Sequence, residues 1–266
     1  MLENLSLGVY YPGSSILHRM RARTKLVALL WLAVLLVVAN QRRWHFAPYV
    51  AVVALTLAAV AVSGVPPRAI WRQLRLLLLA VAVGSISVVL FTEGKPLRTF
   101  GPVVITDEGV WLLVALFVAL PALFTLSLLL TMTTPPVAML EGMTILLAPL
   151  RRLRLPVDDF ALMTLIALRF VPTLTEETDQ LIKAQTARGA DLLQGTVRDR
   201  MRSIPALFVP LVHGALRRAD DLAIALESRG YETENGPTML HEGPLGGADY
   251  AVFGILALVA IVTVAF

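Results

Sequence analysis

Five apolar stretches, the first four separated by short loops that carry basic residues, limit this 266-residue chain more than any other feature. They run Leu26–Asn40, Phe46–Val65, Leu76–Phe91, Val110–Thr134 and Tyr250–Phe266. A helix of roughly 20 mostly apolar residues crosses a bilayer core, and in lipid the backbone must satisfy its own hydrogen bonds. These stretches therefore predict an all-α polytopic membrane protein with about five transmembrane helices. Composition agrees, with 57% hydrophobic and 16% charged residues, where soluble domains hold about 45–50% and 25%. That balance excludes an ordinary soluble enzyme and a disordered chain. The first stretch is short, so Lys25 and Arg42 are expected to snorkel. Pro121 is expected to kink the fourth. Trp44, Trp71 and Trp111 lie at span borders, where an aromatic belt belongs. No secretory signal is expected, because the first apolar run starts only at Leu26 and no small-residue cleavage site follows it.

More than a hundred residues of different character lie between the fourth and fifth spans. Their apolar runs, Ile145–Leu150, Phe160–Leu168 and Ile204–Leu216, are too short to cross a bilayer. Charges separate them: Arg151, Arg152, Arg154, Asp158, Asp159, Glu176, Glu177, Asp179, Arg198, Asp199, Arg200 and Arg202. The pattern predicts amphipathic helices on or under the membrane. The expected division is residues 1–134 as a four-span membrane domain, 135–247 as a helical insert and 248–266 as a last transmembrane helix.

Charge sets the expected orientation. Arg19, Arg21, Arg23 and Lys25 precede the first span, and Arg68, Arg72 and Arg75 precede the third. The opposite side carries only Arg42, Arg43, Lys95 and Arg98, diluted by Glu93, Asp107 and Glu108. Arg151, Arg152 and Arg154 add to the richer side. The positive-inside rule then places the N-terminus and the insert in the cytoplasm and, with five spans, the C-terminus outside. The net charge of +4 follows from that bias, and nucleic acid is not an expected partner.

One pattern occurs twice in the insert, once from Asp179 to Gly189 and again from Asp220 to Gly230. The shared skeleton is Asp-x-Leu-x-x-Ala-x-x-small-Arg-Gly, ending Ala187-Arg188-Gly189 and Ser228-Arg229-Gly230. Leu and Ala three apart, with Arg four further on, share roughly one helical face. Glycine after arginine suits a helix C-terminus, where it takes the left-handed conformation, and arginine there complements the macrodipole. Each copy predicts a helix that ends in an arginine tip. Two readings stand side by side. The tips are solvated C-caps, or they are plugs whose guanidinium seeks a carboxylate in a partner's groove while the small residue permits close approach. Two plugs imply two sockets.

Catalytic and cofactor motifs are missing. No G-x-x-x-x-G-K-[ST] is present to cradle ATP, and His241-Glu242 runs into Gly243-Pro244 instead of completing a zinc motif. The four histidines, His18, His45, His213 and His241, show no ligand spacing, and His213, in an apolar run, is expected to pack. The chain is expected not to be an enzyme and to bind no cofactor or metal.

Several segments, taken in order, resemble the transmembrane T component of energy-coupling factor (ECF) transporters. They are Ser15–Lys25, Thr133-Thr134-Pro135, Leu147–Leu153, Ala167–Pro172 and the two arginine tips, which resemble the family's paired Ala-Arg-Gly motifs. Two departures stand out: Ser228 replaces alanine, and Arg21-Ala22 replaces an Asp-Pro pair. The resemblance implies a non-enzymatic subunit of the prokaryotic inner membrane. It implies as partners two ABC-type ATPase subunits, as a homodimer or heterodimer, and a small membrane-embedded S component that binds a vitamin or metal ion. It implies that ATP is used by the ATPases alone. It implies that residues 135–247 form coupling helices, and that Ala187, Arg188, Gly189, Ser228, Arg229 and Gly230 dock in ATPase grooves. Pro172, Pro205 and Pro210 would interrupt these helices and set bends between coupling segments.

Two other readings compete. A stand-alone membrane transporter or channel needs polar groups lining a path, and the spans offer little beyond Ser63, Ser85, Ser87, Thr125 and Ser127. An intramembrane hydrolase built on Ser85 or Ser127 needs a base nearby, and no span contains a histidine.

Overall fold

The computed structural model describes residues 10–41, 46–92, 94–100, 103–189, 197–231 and 246–265. Arg42, Arg43, Trp44, His45, Glu93, His241 and residues 190–196 and 232–245 lie outside them. The fold is all-α apart from a two-stranded hairpin among the described residues. The chain divides into two compact units, one built from Gly8–Leu146 with Gly243–Phe266 and one from Leu147–Glu242. The division falls at Leu147, whereas the charge pattern suggested residue 135.

The larger unit contains a single turn, α1 (Ile16–Arg19), then α2 (Ala22–Gln41), α3 (Ala47–Ser63), α4 (Pro67–Phe91), β1 (Pro96–Phe100), β2 (Val103–Thr106), α5 (Asp107–Thr133) and α6 (Pro136–Leu147), and closes with α9 (Gly247–Ala265). Among the described residues α2, α4 and α5 are long and apolar enough to span a bilayer; α3 and the Gly247–Ile261 part of α9 are apolar and shorter. Helices α2, α3, α5 and α9 share a core of Leu32, Leu36, Val52, Ala115, Leu256 and Val259. Lipid tails are as apolar as these side chains, so close packing, and not removal from water, is what holds such a core.

Helices α2, α4, α5 and α9 begin earlier than their apolar runs. Proline has no N–H to waste at a helix start, and Pro67 lets α4 begin one residue before Arg68. Arg68, Arg72 and Arg75 are therefore helical, not loop residues. Gly64, at φ +70°, ends α3 just upstream. Thr106 caps α5: its Oγ1 accepts from the Gly109 N–H at 3.1 Å, while Asp107 and Glu108 in the first turn complement the dipole. The antiparallel hairpin between α4 and α5 pairs Phe100 with Val103 and carries an irregularity between Pro96 and Arg98. The β-branched run Val103-Val104-Ile105-Thr106 beyond Gly101-Pro102 was its sequence signal.

Two expectations are corrected here. Trp111 does not sit in an aromatic belt; it is buried and meets Phe46 and Tyr49 edge-on, at 5.2 and 5.7 Å between ring centroids. Lys25 does not snorkel; it is buried. Helix α5 is continuous through Pro121. Three span hydroxyls bond their own helices: Ser63 in α3 donates to Val60 O, Ser85 in α4 to Ala82 O and Thr125 in α5 to Pro121 O. That local bonding satisfies them without a partner across the bundle.

The smaller unit begins with a 3₁₀ turn, Ala148–Leu153, and continues into α7 (Val157–Ala187) and α8 (Val197–Ser228). Arg151 Nη2 pairs with Asp158 Oδ1 at 2.6 Å and ties the turn to the first turn of α7. Pro172, Pro205 and Pro210 were expected to interrupt helices, but all three lie inside α7 or α8, which run on through them. A proline costs one backbone bond and a clash; it does not oblige the chain to stop.

Candidate functional site

The two arginine tips are built alike. Helix α7 ends at Ala187; Arg188 follows at φ −83°, and Gly189 stands at φ +85°. Helix α8 ends at Ser228, and Gly230 stands at φ +70°. The Gly189 N–H donates to Thr186 O at 3.0 Å and the Gly230 N–H to Glu227 O at 2.9 Å. The Tyr231 N–H closes the second cap on Leu226 O at 3.1 Å. The second tip is thus the Schellman arrangement, and the first shows its inner bond with the same left-handed glycine. A Cβ at either glycine would meet nothing within 4 Å, so backbone conformation, not space, demands glycine here. Replacing Gly189 or Gly230 by alanine is expected to cost roughly 1–2 kcal/mol at the tip. Amide exchange of the last turn of the affected helix should then quicken about tenfold; unchanged exchange would contradict the cap.

Both guanidiniums are exposed, and among the described residues neither has an ion-pair partner. Ala187 is a bare methyl beside the first. The Ser228 hydroxyl beside the second turns back to Ala225 O at 2.9 Å and presents no new polar group. Cross-contacts set where the tips lie within this unit. Gln185 Nε2 donates to Ala206 O at 3.5 Å. Arg218 Nη2 pairs with Glu177 Oε2 at 2.8 Å, and a Cβ on Gly214 would come within 3.1 Å of that carboxylate. Tyr231 Oη donates to Asp159 Oδ1 at 3.4 Å. Desolvation first, and the Asp159 charge second, hold the Tyr231 hydroxyl above its usual pKa, so it stays a donor. The partners ascend α8 as they descend α7, so the helices are antiparallel. Their C-terminal tips therefore stand at opposite ends of the pair, roughly 40 Å apart at 1.5 Å per residue. His213 is exposed on α8, contrary to the packed role expected from its apolar neighbours.

A second constellation, in the larger unit, joins two of the motif segments. The Lys25 ammonium donates to Thr133 O and Thr133 Oγ1, both at 3.2 Å, and to Thr134 Oγ1 at 2.8 Å. Its three protons are thus all used. Thr133 Oγ1 gives its own proton to Leu129 O at 2.7 Å, which leaves it free to accept from Lys25. Asp249, buried at the head of α9, accepts from the Arg21 N–H at 3.3 Å and the Gly246 N–H at 2.9 Å and sets a negative charge close to Lys25. The start of α2, the end of α5 and the start of α9 therefore meet around two neighbouring charges of opposite sign. Sequence reasoning missed Asp249, because α9 begins at Gly247, ahead of the apolar run. Nearby, His18 Nε2 lies 2.9 Å from Tyr11 O, so it carries a proton there, and Nδ1 is hydrogen-bonded to the Ser15 hydroxyl at 2.6 Å.

An apolar cavity of about 340 Å³ opens between α2, α3, α5 and α9, with Leu29, Leu55, Leu126 and Val252 on its wall. Its polar lining groups, Lys25 and Thr133, are bonded to each other. Among the described residues no cluster could hold a metal ion.

A polytopic helical membrane protein with two matching arginine-tipped helices is a class that comparison with known proteins makes specific. The CbiQ family, described as "Cobalt transport protein", matches residues 13–239. A protein of Thermosediminibacter oceani named "Energy-coupling factor transporter transmembrane protein EcfT" is 37% identical over 260 residues, covering 98% of this chain and 97% of that protein. The EcfT of Bacillus subtilis is 35% identical over 269 residues, 100% of this chain and 98% of its own length. The EcfT of Heliobacterium modesticaldum is 38% identical over 258 residues, covering 95% and 93%. The chain belongs to the EcfT/CbiQ-like family of T components of energy-coupling factor transporters.

Proposed function

We infer that this chain couples ATP hydrolysis by two cytoplasmic ABC-type ATPases to a small membrane S component, for uptake of a vitamin or a transition-metal ion. The observation that carries this reading is the pair of tips. Two helices of one antiparallel pair end in the same cap, each exposing a guanidinium beside a small residue, at opposite ends. A guanidinium fork suits a carboxylate in a partner's groove, and two well-separated forks suit two copies of one kind of partner. Each ATPase takes one tip, and closure of the ATPases on ATP moves the tips. Helices α7 and α8 carry that motion to the S component. Their exposed Phe160, Met163, Phe208, Val209 and Leu216 offer it an apolar surface. The chain itself binds no cofactor and hydrolyses nothing; ATP belongs to the partners. The stand-alone transporter reading is the weaker one, since the Ser63, Ser85 and Thr125 hydroxyls bond within their own helices and do not face a path.

The deciding experiment is co-purification of the ATPases with the wild-type chain and with an Arg188→Ala/Arg229→Ala chain, with substrate uptake measured in parallel. Orientation is tested separately. The chain lacks cysteine, so Tyr231→Cys is expected to react with an impermeant maleimide only from the cytoplasm, and Lys95→Cys only from outside. Labelling of Tyr231→Cys from outside would overturn the inner-membrane topology, with N-terminus and insert cytoplasmic and C-terminus outside.

A further inference from the structure

Among the described residues, one face of α4 has no partner in the fold. At 100° per residue, Arg68, Arg72, Arg75, Leu76, Leu79, Val83 and Ile86 fall within an arc of about 100°, and Trp71 flanks it. All three arginines are exposed. Leu76, Leu79, Val83 and Ile86 are 67%, 66%, 61% and 60% exposed, and Trp71 is 61%. The opposite face carries the buried Ile70 and Ser85. Along the helix the stripe is ordered, with guanidiniums first and apolar side chains after them. From Arg75 to Ile86 is roughly 16 Å of rise, close to half of a hydrocarbon core about 30 Å thick.

The arginine side chains, among the described residues, also lack a counter-charge. Among the described residues no ion pair or hydrogen bond engages Arg68, Arg72 or Arg75, and the sequence holds no carboxylate between Glu3 and Glu93. Three guanidiniums within about 10 Å of helix form a positive patch at the mouth of an apolar strip one leaflet deep. An anion with a hydrocarbon tail of that length complements both parts at once.

We propose that this stripe is a binding site for an anionic phospholipid of the adjacent leaflet, its phosphate held by Arg68, Arg72 and Arg75 and one acyl chain laid along Leu79, Val83 and Ile86. Guanidinium pairs with phosphate through parallel N–H bonds, while Trp71 sits at headgroup level. The site requires no ATPase or S component, so it stands apart from the coupling reading.

The test uses the full chain in neutral detergent, supplied with dioleoylphosphatidylglycerol or dioleoylphosphatidylcholine, with retained lipid counted by native mass spectrometry. The wild type should retain phosphatidylglycerol in clear preference. Each basic residue contributes about 1 kcal/mol toward an anionic membrane surface. Arg68→Gln/Arg72→Gln/Arg75→Gln should therefore lose roughly a hundredfold of that preference. The corresponding triple lysine variant keeps the charge and should lose less than about tenfold; it also serves if the glutamine chain folds poorly. Equal retention of the two lipids by the wild type would overturn the proposal. So would a preference unchanged in the glutamine variant. If the glutamine variant instead lost a co-purifying membrane protein at unchanged lipid preference, the stripe would be a protein interface and the lipid site refuted.

Discussion

Changing both Arg188 and Arg229 to alanine is expected to abolish ATPase retention and substrate uptake while the chain still inserts in the membrane. Each exposed guanidinium has no partner among the described residues, so it is available to one supplied in trans. If a partner carboxylate is desolvated against it, truncation leaves that carboxylate buried and unpaired, at about 2–5 kcal/mol. With about 1.4 kcal/mol per tenfold in affinity, one lost tip weakens docking by a factor of tens to thousands. The other tip still holds an ATPase, so single variants keep a complex. Loss of both removes the avidity as well. Bulky replacements at Ala187 or Ser228 should mimic the loss with charge intact. If the arginines merely complemented helix dipoles, each change would cost about 0.3–1 kcal/mol of local stability and assembly would survive. A double variant that retains the ATPases and supports uptake defeats the plug reading.

Removing the Lys25 ammonium is the second large effect, and it concerns the larger unit alone. Lys25→Met leaves the Thr133 and Thr134 hydroxyls without their donor and Asp249 without its neighbouring charge, all in a buried site. A buried polar group left without its partner costs about 1–3 kcal/mol, more for a charged one. Thermal unfolding of the full chain in detergent should show a large fall in Tm. Asp249→Asn, which keeps the size of the side chain, should cost less, because Lys25 retains its three threonine acceptors. The double variant should recover part of the loss, since neither charge then lacks its opposite, and a double-mutant cycle would read that coupling. Additive losses would show that Lys25 and Asp249 do not act as a pair.

These two sites were legible in the sequence to different degrees. The tips could be read because their information is local. A glycine behind an arginine at the end of a helical pattern predicts a left-handed cap, and the structure has Gly189 and Gly230 at φ +85° and +70°. The Lys25 constellation could not be read, although Lys25 and Thr133-Thr134 both lie in segments that carry the family likeness. Nothing in their separation of more than a hundred residues says that one donates to the other. Asp249 was hidden further, as an acid just ahead of an apolar run.

The sequence by itself determined the all-α class, the apolar runs behind α2, α3, α4, α5 and α9, and the amphipathic character of α7 and α8. Length of apolar run and position of charge are properties of single segments, and lipid tolerates few other solutions for them. Helix starts were misplaced by several residues because Pro67 and Asp107 open helices that the apolar count recognises only later. Tertiary structure alone decided that Lys25 faces inward, that Trp111 packs in the core and that α7 and α8 run antiparallel. It also decided that α7 and α8 continue through Pro172, Pro205 and Pro210. Each of those outcomes turns on which side chain from elsewhere in the chain fills the space beside it. A periodicity can announce that a face will be covered, but only packing chooses the cover.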